Sequence, residues 1–83
     1  MKTLKIEIII VFDIDDFVYI LISKPKELDE LFIDLVELLP LIFPQIECRI
    51  SGTYFKLFSK NYKALLEVTQ TIIEIIFCID NYE

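Results

Sequence analysis

From residue 4 to residue 12 the chain alternates. Leu4, Ile6, Ile8, Ile10 and Phe12 share one parity, while Lys5, Glu7, Ile9 and Val11 share the other. The period of two and the β-branched content predict a strand over Leu4–Phe12. Asp13 to Asp16 reads as a turn, since aspartate bonds its own backbone and tolerates tight reversals. Phe17–Ser23 reads as a second strand, apolar on both faces and so central in a sheet or covered by another layer.

After Lys24 the period changes to that of a helix. Pro25 suits a first helical turn, where its missing N–H costs nothing. Leu28, Leu31, Phe32, Leu35, Leu38 and Leu39 form one apolar stripe, opposed by Glu27, Asp29, Glu30, Asp34 and Glu37. Pro40 is expected to end this helix, with Leu41, Ile42 and Phe43 in a proline-bounded linker. Ile46, Cys48 and Ile50 then alternate with Glu47 and Arg49, the cleanest half-buried strand pattern in the chain. Ser51-Gly52, which uses the only glycine, predicts a hairpin turn into a fourth strand, Tyr54–Ser59. A second helix is expected from Asn61 to about Ile79, with Leu65, Val68, Ile72, Ile75 and Ile79 as its main stripe.

The predicted order is therefore ββα followed by ββα. Ile6-Glu7 matches Ile46-Glu47, and Ser23-Lys24 matches Ser59-Lys60, so a pseudo-repeat of units 1–40 and 41–83 is expected. The fold class is α+β: a four-stranded, mainly antiparallel sheet with both helices packed on one face, in a single domain.

Composition sharpens the functional reading. Lys+Arg 8 against Asp+Glu 14 gives a net charge of −6, and hydrophobic residues make up 55% of 83 positions. Such apolar content excludes an intrinsically disordered chain. The acidic balance argues against binding along a DNA backbone, which takes excess cation. With no histidine and one glycine, His-dependent mechanisms and glycine-rich phosphate loops are absent. The lysines at the start resemble a signal-peptide lead, but Glu7 interrupts the apolar run, Asp13 ends it, and no small-residue cleavage site follows. No uncharged stretch reaches the ~18 residues of a membrane span. A soluble, cytoplasmic protein is the expectation. Cys48 and Cys78 lack C-x-x-C spacing and are expected as free thiols in a reducing compartment.

The apolar content also exceeds what two helices and one sheet can cover. Ala64, Leu66, Ile73, Ile76 and Phe77 widen the apolar arc of the second helix, and Ile33 sits among charges on the first. A chain this short buries only about 60–65% of its extended surface. Leu66, Ile73, Phe77 and Ile33 are therefore expected at a dry interface, most simply a two-fold homodimer.

Among motifs with chemistry, Val11-Phe12-Asp13-Ile14-Asp15 is the sharpest. An apolar strand ending in Asp-x-Asp resembles the first motif of the haloacid-dehalogenase-like phosphohydrolases, which implies a nucleophilic Asp13 and an Asp15 that handles protons near magnesium. Asp16 and Phe17 stand where that family places Gly and Thr, and no later Lys followed by an acidic pair occurs at suitable spacing. No catalytic residue, metal or cofactor is assigned, and the chain is read as a non-enzyme. Arg49, Lys56 and Lys5 with Tyr19 or Tyr54 could share an outer sheet face, as in sheets that stack RNA bases, but Glu7 and Glu47 fall on the same face. The acidic stripe Glu27, Asp29, Glu30, Asp34, Glu37 can imitate a phosphate backbone before a basic groove. In size and charge the chain is similar to small inhibitors from phages and other mobile elements, including anti-CRISPR proteins. The leading expectation is a small acidic protein-binding module with a basic protein partner. Alternatives are a structural subunit of a larger assembly, a phosphohydrolase-like site at Asp13 and Asp15, and an RNA-binding sheet.

Overall fold

The computed structural model describes residues 5–12 and 18–81. Four strands, β1 (Ile8–Phe12), β2 (Val18–Ser23), β3 (Glu47–Ser51) and β4 (Tyr54–Ser59), form one sheet in the order β1-β2-β4-β3, with every neighbouring pair antiparallel. Helix α1 (Asp29–Ile42) follows β2 after a short 3-10 turn at Lys26–Leu28, and α2 (Tyr62–Asn81) follows β4. The elements run ββαββα, an α+β fold. Asp13 and Asp15, with the rest of the Asp-rich stretch, lie outside the described residues.

Register fixes which side chains share a face. Ile20 stands opposite Leu57, and Ile22 opposite Phe55; with Cys48 opposite Leu57 they point to the helix side. All four of the strand residues Ile20, Ile22, Phe55 and Leu57 are fully buried, against Phe32, Leu35 and Leu39 of α1 and Leu65, Val68 and Ile72 of α2. The Phe32 and Phe55 rings meet tilted at 5.0 Å between centroids, a geometry that adds to plain area burial. Helix α1 lies over β3, and α2 over β4 and β2.

Several boundaries differ from expectation, each for a local reason. Pro40 does not end the first helix, which runs on to Ile42, so Leu41 is in the helix's last turn and not in a linker. Proline at this position removes the N–H that would bond the Val36 carbonyl. The Cys48 thiol approaches that carbonyl and that of Leu35, both at 3.9 Å, while Phe43 N–H continues to the Leu39 carbonyl at 2.7 Å. Packing from β3 thus occupies the gap the imino acid leaves. Leu38, assigned to the core stripe from its spacing, is instead half exposed, because the buried side of α1 centres on Phe32, Leu35 and Leu39. In α2 the stripe turns through Ile76, which is buried, leaving Ile75 partly covered and Ile79 exposed.

The β3–β4 turn is Gly52-Thr53, one residue later than expected, because Ser51 pairs with Tyr54. Gly52 takes φ +61, the sign that a two-residue hairpin with glycine first demands. Asn61 precedes α2 as its cap: its side-chain oxygen accepts the Ala64 N–H at 3.1 Å. Its amide donates to Gln45 Oε1 at 2.9 Å, tying the helix start to the segment that enters β3.

Candidate interaction surfaces

Among the described residues, helices α1 and α2 lie over β3, β4 and β2, which leaves the helix side of β1 open. Ile8, Ile10 and Phe12 oppose Ile22, Ile20 and Val18 and so point to that side, yet they are 39, 42 and 68% exposed. Beside them stands one flank of α2. Residues 62, 66, 73 and 77 recur at helical spacing, and the Phe12 and Tyr62 rings lie 5.8 Å apart, which places that flank toward β1. Leu66, Ile73 and Phe77 are 41, 38 and 67% exposed. Floor and wall together form an apolar trough along one edge of the molecule, larger than the scattered apolar residues of an ordinary surface.

The interface residues assigned from sequence divide between the two helices. Leu66, Ile73 and Phe77 share the trough wall. Ile33, 52% exposed, is on α1 over the opposite edge strand and does not join them. Sequence reasoning missed the floor, since the alternation of β1 gave no sign that its helix-side residues would lack a helix above them.

The acidic residues also divide. Glu30, Asp34 and Glu37 occupy the exposed side of α1 at successive turns. Glu27 lies in the preceding 3-10 turn, and Asp29 is paired with Lys24. The helix contains no cation, and Leu41 and Ile33, both exposed, border its carboxylates. Like charges spaced this way cost about 0.2–0.5 kcal/mol per pair in an isolated helix, so the arrangement does not serve the stability of α1.

On the sheet's other face, which no helix covers, Tyr19, Tyr54, Phe58, Lys56 and Arg49 gather, with Leu21 among them. Both tyrosines fall on this face. The cations are already engaged with its rings: Lys56 Nζ lies 4.5 Å from the Tyr19 ring centre and 5.7 Å from that of Phe58, and the Arg49 guanidinium lies 5.3 Å from Phe58. Glu47 shares the face.

Where α1 ends and α2 begins, Ile42, Phe43, Pro44, Asn61, Lys63 and Glu67 line an open groove of about 350 Å³. Its amide groups are turned to each other in the Asn61–Gln45 bond. Among the described residues no group of three metal-ligating side chains occurs, and no helix is long and apolar enough to cross a membrane.

Both cysteines are free, and they should behave differently. Burial pushes the Cys48 thiol above the usual range, because the thiolate would lose hydration. At a given pH near the ordinary thiol pKa of about 8.5, Cys48 is therefore the poorer nucleophile. A short iodoacetamide pulse, read by peptide mass, should label exposed Cys78 at least tenfold faster than Cys48; equal rates would contradict the packing of Cys48 on α1. The linkage sign follows. Above the ordinary thiol pKa the unfolded chain sheds a proton that the folded chain retains, so this site's contribution to stability declines as pH rises through that range.

Comparison of the chain with models of known protein families, with curated proteins and with solved structures gave no match.

Proposed function

We propose that this protein works by binding other protein chains through two surfaces at opposite edges of its sheet. The trough over β1 and the α2 flank takes an apolar contact, and the outer side of α1 presents Glu30, Asp34 and Glu37 to a basic partner. The observation that carries this reading is the division of charge. Strand β1 at one edge bears no charge, while α1 over the other carries clustered carboxylates and no cation, beside exposed Ile33 and Leu41.

The partner class that fits α1 is a protein with a basic groove, such as one that handles nucleic acid. Carboxylates roughly 5–6 Å apart along a helix offer a row of negative charge, and charge-assisted hydrogen bonds from arginine or lysine to them are stronger than neutral ones. Leu41 and Ile33 beside the carboxylates would add apolar contact to the charge pairing. An inhibitor that occupies such a groove is the most specific form of this reading.

Neutralising the row tests it. Glu30→Gln with Asp34→Asn and Glu37→Gln changes the net charge from −6 to −3 (−6 + 3) and removes no buried group. Capture of a basic partner from an extract of the native host should fall at least tenfold, with the circular dichroism spectrum unchanged. The wild-type complex should also release as salt rises past the range where exposed charges are screened. Undiminished capture by the triple variant would eliminate the acidic surface as the contact.

A further inference from the structure

We infer that the trough edge is a homodimer interface in which β1 pairs antiparallel with β1 of a second copy, joining two four-stranded sheets into one. This rests on reading the trough as a protein contact and goes further by naming its occupant.

The two edge strands of the sheet are built differently. Edge β3 carries Glu47 and Arg49, charges of the kind that discourage strand addition. Edge β1 is Ile-Ile-Ile-Val-Phe, with no charge, proline or glycine. A free edge of that composition is a template for another strand. The backbone phase makes it usable. Ser23 N–H donates to the Glu7 carbonyl at 2.9 Å, so in the alternating antiparallel pattern residues 7, 9 and 11 turn their backbone groups toward β2. The N–H and C=O groups of Ile8, Ile10 and Phe12 therefore face outward.

An antiparallel pair about a two-fold axis at Ile10 places Ile10 against Ile10, Ile8 against Phe12 and Ile9 against Val11. Three outward-facing residues per strand supply about six hydrogen bonds. Ile8–Phe12 bears no charge, so no like-charge pair falls within the paired residues. It also sets the α2 flanks of the two copies on the same side of the joined sheet, facing each other over a common floor.

The area is of the size required. Taking about 150–250 Å² for a whole large side chain, the six trough residues at half exposure contribute on the order of 600 Å². With the strand backbone this approaches the roughly 800 Å² per partner of a stable interface. A face-to-face arrangement would instead press Lys63, Glu67 and Glu74 of α2, all exposed, onto the isoleucine floor, which disfavours it.

Ile10→Pro separates the alternatives. Its N–H points to the free edge, where proline is tolerated in a monomer, but the substitution removes the two central bonds of the dimer. Sedimentation of the wild type should give about twice 9.8 kDa, and the folded variant should sediment as a monomer. Should proline disturb the fold, Ile10→Cys in a Cys78→Ser background decides. Opposed residues in such a pair lie about 5.5 Å apart between Cα atoms, within disulfide reach, so mild oxidation should give a covalent dimer. A wild-type dimer that persists in Ile10→Pro and does not cross-link through Cys at position 10 overturns edge pairing while leaving an apolar contact at the trough intact. A wild type monomeric up to hundreds of micromolar overturns the second copy as occupant.

Discussion

Phe55→Ala is expected to remove a large share of the chain's folding stability. Phe55 is wholly buried at the centre of the sheet, between Ile22 of β2 and Ile50 of β3, with the Phe32 ring of α1 against it. Truncating a buried phenylalanine costs about 3–5 kcal/mol, from lost transfer energy and from the cavity left behind. A domain of 83 residues has about 4–12 kcal/mol of stability in total, so the loss consumes much or all of it. Phe58→Ala, three residues along the same strand but on the uncovered face, serves as the comparison. There the lost contacts are those with Lys56 and Arg49, and the cost should be about 1 kcal/mol. Urea titration followed by circular dichroism should show a midpoint about 2 M lower for Phe55→Ala and a small shift for Phe58→Ala. Equal shifts would mean that the two faces of β4 are not differently buried.

From the amino acids alone, Lys56 was placed on the outer face with Arg49, while Phe55 and Phe58 were not told apart. In β4, Phe55 and Leu57 have one parity and Lys56 and Phe58 the other, and the structure buries the first pair. The same rule placed Cys48 and Ile50 opposite Glu47 and Arg49. These signals were legible because a strand's period is two and one residue of error would turn every side chain over. What the pattern hid has physical causes too. Proline's effect on a helix depends on position: at Pro40 only Val36 loses a donor, and a thiol from another element stands near that carbonyl. Nothing in residues 29–42 announces Cys48.

The surfaces were legible in a different degree. The apolar arc of α2 was read as wider than one copy can cover; Leu66, Ile73 and Phe77 are 41, 38 and 67% exposed, while Ile76 is buried. Their companions Ile8, Ile10 and Phe12 were not found, because a strand written as continuous aliphatics reads as interior. Only strand order, which puts β1 at an edge that α2 meets at Phe12 through Tyr62, shows it to be surface. In the acidic stripe, composition identified five carboxylates but not that Lys24 engages Asp29, since that contact joins the end of β2 to the start of α1.

Phe77→Asp should dissociate the protein without unfolding it. Phe77 is 67% exposed on the trough wall, and surface substitutions typically shift stability by about 0.5 kcal/mol or less. In a two-fold assembly the position counts twice. Each copy loses an apolar contact worth roughly 1.5–3 kcal/mol and acquires a carboxylate whose desolvation opposes association. Without the desolvation term, two losses of that size give about 3–6 kcal/mol, or roughly 10²–10⁴-fold in Kd at about 1.4 kcal/mol per decade. Ile72→Asp is the contrast, because Ile72 is fully buried one turn earlier on the core side and an unpaired charge there should unfold the chain. Sedimentation across a hundredfold concentration range, paired with thermal melts, separates the outcomes: loss of dimer with an unchanged melt for Phe77→Asp, and loss of structure for Ile72→Asp. A Phe77→Asp protein that associates as tightly as the wild type would remove the α2 flank from the contact, and with it the reason for the trough to be apolar.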